Sequence, residues 1–177
     1  MERPPNLESE KTPPIGWGEW FLLTGFGTGL IKKAPGTWGS LVGLGIGALV
    51  IYTFPTPNLT LGLLAVLTGV VGVELVNRYE KKGGIHDDKR IVIDEIAGIL
   101  VGLTLFRWGE PLDWLKMLLI FIGFRIMDIW KPSIIGKVDR EAPGGWGVVG
   151  DDLLAGIFGG LVGGVLFEGI LLLPPNS

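Results

Sequence analysis

Asp151-Asp152-Leu-Leu-Ala-Gly-Ile-Phe-Gly-Gly-Leu-Val-Gly-Gly-Val-Leu-Phe-Glu168-Gly-Ile-Leu-Leu-Leu173 is the stretch from which the fold can be read. From Leu153 to Leu173 only Glu168 interrupts the apolar run, whose length falls in the roughly 17–25 residues that cross a bilayer core as a helix. Gly156, Gly160 and Gly164 recur at every fourth position, so they share one helix face. In water each such glycine costs a helix about 1 kcal/mol relative to alanine. In lipid, small residues let helix backbones approach closely, and that packing is a main source of helix–helix attraction. Two aspartates stand where the apolar run begins.

Four further apolar stretches precede it: Trp38–Phe54, Leu59–Val76, Ile91–Trp108 and Trp114–Trp130. The last two are short and carry charge near one end. Gly39, Gly43 and Gly47 repeat the four-residue spacing, as do Gly98 and Gly102. Trp38, Trp108, Trp114 and Trp130 mark span ends, where the indole ring prefers the headgroup level. Segment Ile15–Ile31 has apolar bulk, but Glu19 and the closely spaced Gly25, Gly27 and Gly29 interrupt it. It is expected to form an interfacial or re-entrant helix. Residues 1–14 are polar and proline-rich and are expected to be a disordered tail, leaving residues 15–177 as one helical domain. The expected fold is all-α, a bundle of about five apolar, membrane-spanning helices. A glycine-rich soluble bundle is the alternative.

Composition agrees. Of 177 residues, 47% are apolar and only 19% charged, against about a quarter charged in soluble domains. A net charge of −3 offers no basic field for nucleic acid. The absence of cysteine excludes a thiol nucleophile, a disulfide and a thiolate metal site. A single histidine, His86, excludes a mechanism that needs separate histidine nucleophile and acid.

Threading five crossings puts three segments on one side: the N-terminus to Gly36, Asn77 to Arg90, and Arg125 to Gly150. They hold 13 of the 15 Lys and Arg; only Arg107 and Lys116 fall on the other side. The positive-inside bias then places these segments in the cytoplasm, and a multi-pass protein of the inner (cytoplasmic) membrane is expected.

The same three segments hold nearly all the unusual polar residues. In the first, Pro35-Gly36 makes a turn and Thr37 falls at a helix start, where free N–H groups attract phosphate; Thr37 can equally be an ordinary cap. In the second, Asp94 and Glu95 enter an apolar stretch together, which is costly at a membrane edge and points to function. His86 and Asp87 are weaker candidates. In the third, Arg125, Asp128 and Lys131 share a helix face, Asp139 and Arg140 follow, and Asp151-Asp152 opens the last span, where helix-terminal charge is the plain alternative. Carboxylates from three segments thus converge on one side. Buried acids coexist ionised only with a cation, and all-oxygen ligands suit Mg2+ or Mn2+. Lys131 and the first-loop lysines, Lys32 among them, add positive charge for an anionic substrate. The combination points to metal-assisted phosphoryl chemistry on a lipid headgroup. A non-enzymatic membrane carrier or cation-binding protein with an acidic site is the reading from another class.

Gly25-Phe-Gly-x-Gly-Leu30, Pro35-Gly-Thr-x-Gly-Ser40, His86-Asp87, Asp94-Glu95, Phe124-Arg125 with Asp128-x-Trp-Lys-Pro132, Asp139-Arg140, Gly144-Gly-x-Gly147 and Asp151-Asp152 with Ala155-Gly156 together resemble phosphatidylglycerophosphatase A. The resemblance covers the chain from about residue 20 to 160. Ile93 stands where relatives often carry Trp, and Asp88 lies in a variable loop; neither touches the acidic set. The resemblance implies a Mg2+-dependent enzyme that removes the terminal phosphate of phosphatidylglycerophosphate, an anionic phospholipid of the membrane. It carries catalytic or metal roles to Asp94, Glu95, Asp128 and Asp152, and phosphate-binding roles to Thr37 and Lys131. Asp139 joins the catalytic candidates and Asp151 the metal candidates; Lys32, Ser40, Arg125 and Arg140 complete the expected substrate contacts. Which carboxylate is base, nucleophile or ligand stays open at this level, as does the oligomeric state.

Overall fold

The computed structural model describes residues 15–171, and all regular structure among them is helical. The expected polar tail, residues 1–14, lies outside the described residues. The elements are α1 (Trp17–Leu23), a 3-10 turn (Thr28–Leu30), α2 (Pro35–Thr53), α3 (Pro57–Lys81), α4 (Ile93–Thr104), α5 (Asp113–Trp130), α6 (Ile134–Glu141) and α7 (Gly145–Leu171). Pro35 and Pro57 stand at the starts of α2 and α3, where a missing N–H costs nothing and φ is already set for the helix.

The five apolar stretches all become helices, but not equal ones. Three of them, α2, α3 and α7, are long and apolar enough to cross a membrane. Helix α4 has 12 residues and rises only about 18 Å, short of a hydrocarbon core of about 30 Å. The sequence overstated it because the flanking Ile91-Val92 and Leu105–Trp108 are apolar for packing. Val92 packs where a Cβ on Gly39 would lie, and its N–H donates to Leu23 O at 2.8 Å. Helix α5 has the length of a span, 18 residues, but carries Asp113, Lys116, Arg125 and Asp128 at its two ends. Helix α4 is the centre of the bundle: Ile96, Ala97, Ile99, Leu100 and Leu103 are all buried, as expected of a helix apolar on every side. Around it, Leu59, Leu63, Val66, Leu67 and Val70 on α3 face outward, a surface made for lipid.

The glycine rows set how closely the helices meet. A Cβ on Gly98 would lie 2.5 Å from Asp152 O, and one on Gly102 would lie 3.0 Å from Gly156 O. Backbone therefore touches backbone along α4 and α7. Gly123 of α5 meets Gly159 of α7 in the same way.

Helices α2, α4 and α7 begin, and α3 and α5 end, at one end of the bundle, so the three polar segments of the sequence do meet there. Exposed Trp17, Trp38, Trp130 and Trp146 belong to the helix ends on that side. Helix α1 is short, with Trp20 and Leu23 turned inward and Trp17 outward; Trp17 stacks on Phe21 at 5.2 Å. It has the form of an interfacial helix and not of a span. Two features were not expected. Helix α6 forms within the third polar segment, and α7 starts at Gly145. Asp151 and Asp152 therefore sit in the second turn of α7 instead of opening it, where backbone N–H groups already have partners. A capping role for them is excluded.

At the far end, Lys116 and Asp113 form a buried ion pair at 3.3 Å, and Lys116 Nζ donates to Arg107 O at 2.9 Å.

Candidate active site

Asp94 and Glu95 are the second and third residues of α4, and Asp94 Oδ1 accepts the Glu95 N–H at 3.0 Å. Asp152 comes from α7, one turn before Gly156. Asp94 likewise lies one turn before Gly98. Residues four apart share a helix face, so the close glycine contact between α4 and α7 also brings these acids together. Carboxylate oxygens of Asp94, Glu95 and Asp152 lie within 4.8 Å of one another.

They open into a cavity of about 540 Å³. Asp128, Asp139 and Asp151 line it too, with Arg125, Lys131 and Lys89 as its basic residues. Counting Asp87, the lining holds seven carboxylates against three basic side chains. Arg125 Nη1 pairs with Asp128 Oδ2 at 2.5 Å and donates to Ser40 Oγ at 3.2 Å. Lys131 Nζ bridges Asp139 Oδ1 at 2.6 Å and Asp151 Oδ2 at 2.7 Å. Burial works against the Lys131 ammonium, but its hydrogen bonds to Asp139 and Asp151 outweigh that and hold its pKa above the ordinary lysine value. Glu95 Oε2, Asp151 Oδ1 and Arg125 Nε are buried with no hydrogen-bond partner among the described residues. Such orphaned groups are rare in a finished fold and call for a missing partner.

The backbone around the cavity is also unusual. Ala34, Asp87 and Lys131 all line it and have left-handed φ of 53°, 52° and 45°. Each costs on the order of 1–3 kcal/mol, and such strain gathers at functional sites. Gly36 lies against Glu95: a Cβ there would overlap Glu95 Oε1 and stand 3.4 Å from Arg125 Nη1.

Not all of the expected residues meet. Asp94, Glu95, Arg125, Asp128, Lys131, Asp139, Asp151 and Asp152 share the cavity. Ser40 is buried behind it, held by Arg125 and donating to Gly36 O at 2.7 Å. Thr37 is the third residue of α2 and outside the lining; its N–H already bonds Ala34 O at 3.0 Å, so it offers no free backbone donor. Lys32 is exposed and also outside the lining. Arg140 lines a neighbouring chamber of about 310 Å³ with His86, Asp87 and Asp139. His86 Nδ1 lies 2.6 Å from Glu80 Oε1; that hydrogen bond raises its pKa. Asp88 anchors its loop, accepting from Tyr79 Oη at 2.6 Å and Arg90 Nη2 at 2.7 Å. Burial raises the Asp88 pKa, yet these bonds bring it below the ordinary value. Sequence reasoning passed over Lys89 and the contact between Gly36 and Glu95. A signal for Gly36 existed: Pro35 alone starts the helix, so a glycine in the next position needs another reason.

A profile of the family described as Phosphatidylglycerophosphatase A matches residues 21–167. The chain belongs to the phosphatidylglycerophosphatase A family. It is 37% identical over 139 residues to Phosphatidylglycerophosphatase A of Escherichia coli, covering 78% of this chain and 77% of that protein. It is 35% identical over 141 residues to the Haemophilus influenzae protein of the same name, covering 80% and 83%. A Bacteroides thetaiotaomicron protein, provisionally named a phosphatidylinositol-3-phosphatase, is 35% identical over 137 residues, covering 76% and 84%. No solved structure matches the chain. Members of the phosphatidylglycerophosphatase A family are phosphoric monoester hydrolases, so the chain is an enzyme and the carrier reading is set aside. The matched span takes in every acid of the cavity.

Proposed function

We propose that the chain hydrolyses the terminal phosphomonoester of phosphatidylglycerophosphate, giving phosphatidylglycerol and phosphate, with Mg2+ (or Mn2+) as cofactor, at the cytoplasmic face of the inner membrane. The observation that carries this reading is the cluster of Asp94, Glu95 and Asp152 oxygens within 4.8 Å, in a cavity that also holds Arg125 and Lys131. The cluster fits a hard divalent cation: its donors are all oxygen, and Glu95 Oε2 and Asp151 Oδ1 lack any other partner. An excess of acid in the lining would repel a phosphate unless cations balanced it.

Asp94, Glu95 and Asp152 would hold the cation, with Asp128 and Asp151 beside them. When bound, it supplies charge neutralisation at the phosphoryl group and a water of lowered pKa. Arg125, held by Asp128 and Ser40, presents a fixed guanidinium to the phosphate. Lys131 has three donors and uses two on Asp139 and Asp151, which leaves one for a phosphate oxygen. Asp139, steadied by Lys131, takes the proton from the attacking water. The water oxygen bonds phosphorus, the ester P–O bond breaks, and the proton passes on to the leaving glycerol oxygen.

The test is hydrolysis by purified protein in micelles. Phosphatidylglycerophosphate should yield phosphate and phosphatidylglycerol, activity should vanish in EDTA, and Mg2+ or Mn2+ should restore it. Phosphatidylinositol 3-phosphate is the comparison substrate, because one relative bears that name. Preference for the phosphoinositide overturns the substrate assignment; full turnover in excess chelator overturns the metal.

A further inference from the structure

We propose that the outward face of α5 beside the cavity is the acyl-chain track of the lipid substrate. The inference rests on the lipid-phosphatase reading above. Phe121, Ile122, Ile126, Ile129 and Trp130 line an apolar groove of about 380 Å³ along the last turns of α5. Arg125 and Ile129 belong both to this groove and to the polar cavity. One residue step therefore separates a surface for hydrocarbon from a surface for phosphate.

That continuity decides the occupant. A phospholipid is a phosphate group joined through glycerol to hydrocarbon, so a headgroup in the cavity has to lead its tails out over an apolar rim. Two other apolar hollows exist. One lies between α3 and α7 near Ala65, Gly69 and Leu153; the other lies near Leu22, Phe26 and Ile46. Neither shares a lining residue with the cavity. On α5, by contrast, Ile122, Ile126 and Ile129 are 44%, 50% and 73% exposed. They follow the helical repeat toward the site, and Trp130, 72% exposed, stands at the end of the helix, where an indole fits the headgroup level. From Phe121 to Trp130 the track is about 14 Å long, part of one leaflet. Arg125, at the junction, is where the track meets the phosphate-binding cavity.

Ile122→Trp and Ile126→Trp fill the track without touching the cavity lining or the core. For phosphatidylglycerophosphate with long acyl chains, KM should rise at least about tenfold through lost apolar contact. For the deacylated, water-soluble headgroup, kcat/KM should stay within about twofold of the unsubstituted protein, by the same logic. Leu63→Trp, on the exposed face of α3, should change neither. Equal losses on both substrates, or none on the long-chain lipid, overturn the track. A readout independent of turnover accompanies this: a phosphatidic acid with a photoreactive acyl chain should label the peptide 121–130 above the α3 peptide 59–70. Uniform labelling overturns the track even if hydrolysis is normal. Labelling of 121–130 with no hydrolysis keeps the track as a lipid site and sinks the substrate reading. A shift in oligomeric state in the Trp variants would instead give the face to a second copy of the chain, and also overturns the proposal.

Discussion

Adding one methyl group at Gly36 tests the site more sharply than removing any carboxylate. A Cβ there would fall inside the van der Waals envelope of Glu95 Oε1, roughly 1 Å closer than carbon and oxygen tolerate. The backbone at Gly36 is ordinary helix, so Gly36→Ala carries no φ penalty. By helix propensity it is neutral or stabilising by up to about 1 kcal/mol. Glu95 then has to retreat by roughly 1 Å, and a displacement of that size at a reacting centre costs on the order of 100-fold in rate. The expected result is a melting temperature in micelles that holds or rises while kcat falls about 100-fold. Shortening the acid should relieve the overlap: Gly36→Ala with Glu95→Asp should turn over faster than the product of the single losses predicts, because neighbouring substitutions couple. Steady-state phosphate release and thermal unfolding on the four proteins decide it. A Gly36→Ala enzyme with unchanged kcat would refute the placement of Glu95 in the chemistry; a fall in stability matching the fall in rate would reduce the contact to packing.

Asp94→Asn, Glu95→Gln, Asp128→Asn and Asp152→Asn should each lower turnover at least about 100-fold, with the metal-free protein melting no lower than before; four variants at full rate would mean the acids are structural. His86 should titrate above its ordinary value because of its bond to Glu80, so that the small stabilisation from this exposed pair is present below the unfolded histidine pKa and is lost as pH rises through the folded one. Glu80→Gln should return the NMR titration of His86 to the ordinary range, and an unchanged curve would discredit the pair. A reporter fused near Gly84 should read cytoplasmic and one after Ser177 should not; the opposite pattern would invert the assigned topology.

Much of this molecule is legible in its sequence because lipid-facing helices need unbroken apolar runs. Every run became a helix, and the three polar segments did collect at one end, with Arg107, Glu110, Asp113 and Lys116 left at the other. What misled was the assumption that an apolar run is a span. Ile91-Val92 are apolar because Val92 fills the space beside Gly39, and hydropathy does not separate packing from immersion in lipid. Helix α6 does not show in the sequence for the opposite reason: half of Ile134–Glu141 is charged and it buries only Ile135 and Gly136, so no apolar run announces it. Thr37 offers no backbone donor to a phosphate because α2 starts at Pro35 and the N–H of its third residue is already bonded to Ala34 O.

The acids were individually visible, yet what joins them is a relation between two patterns that look separate in the sequence. Asp94, Gly98 and Gly102 form one series at four-residue spacing, and Asp152, Gly156 and Gly160 form another. The glycines let α4 and α7 touch backbone to backbone, and the same helical repeat stacks each acid directly above its glycine row. Attraction between small-residue faces in lipid is then the force that holds like charges together. Those charges oppose it until a cation is present. The acidic cluster and the helix contact are therefore one structural element. This explains how two helices that pack on glycine can position carboxylates beside one another with no covalent link between them.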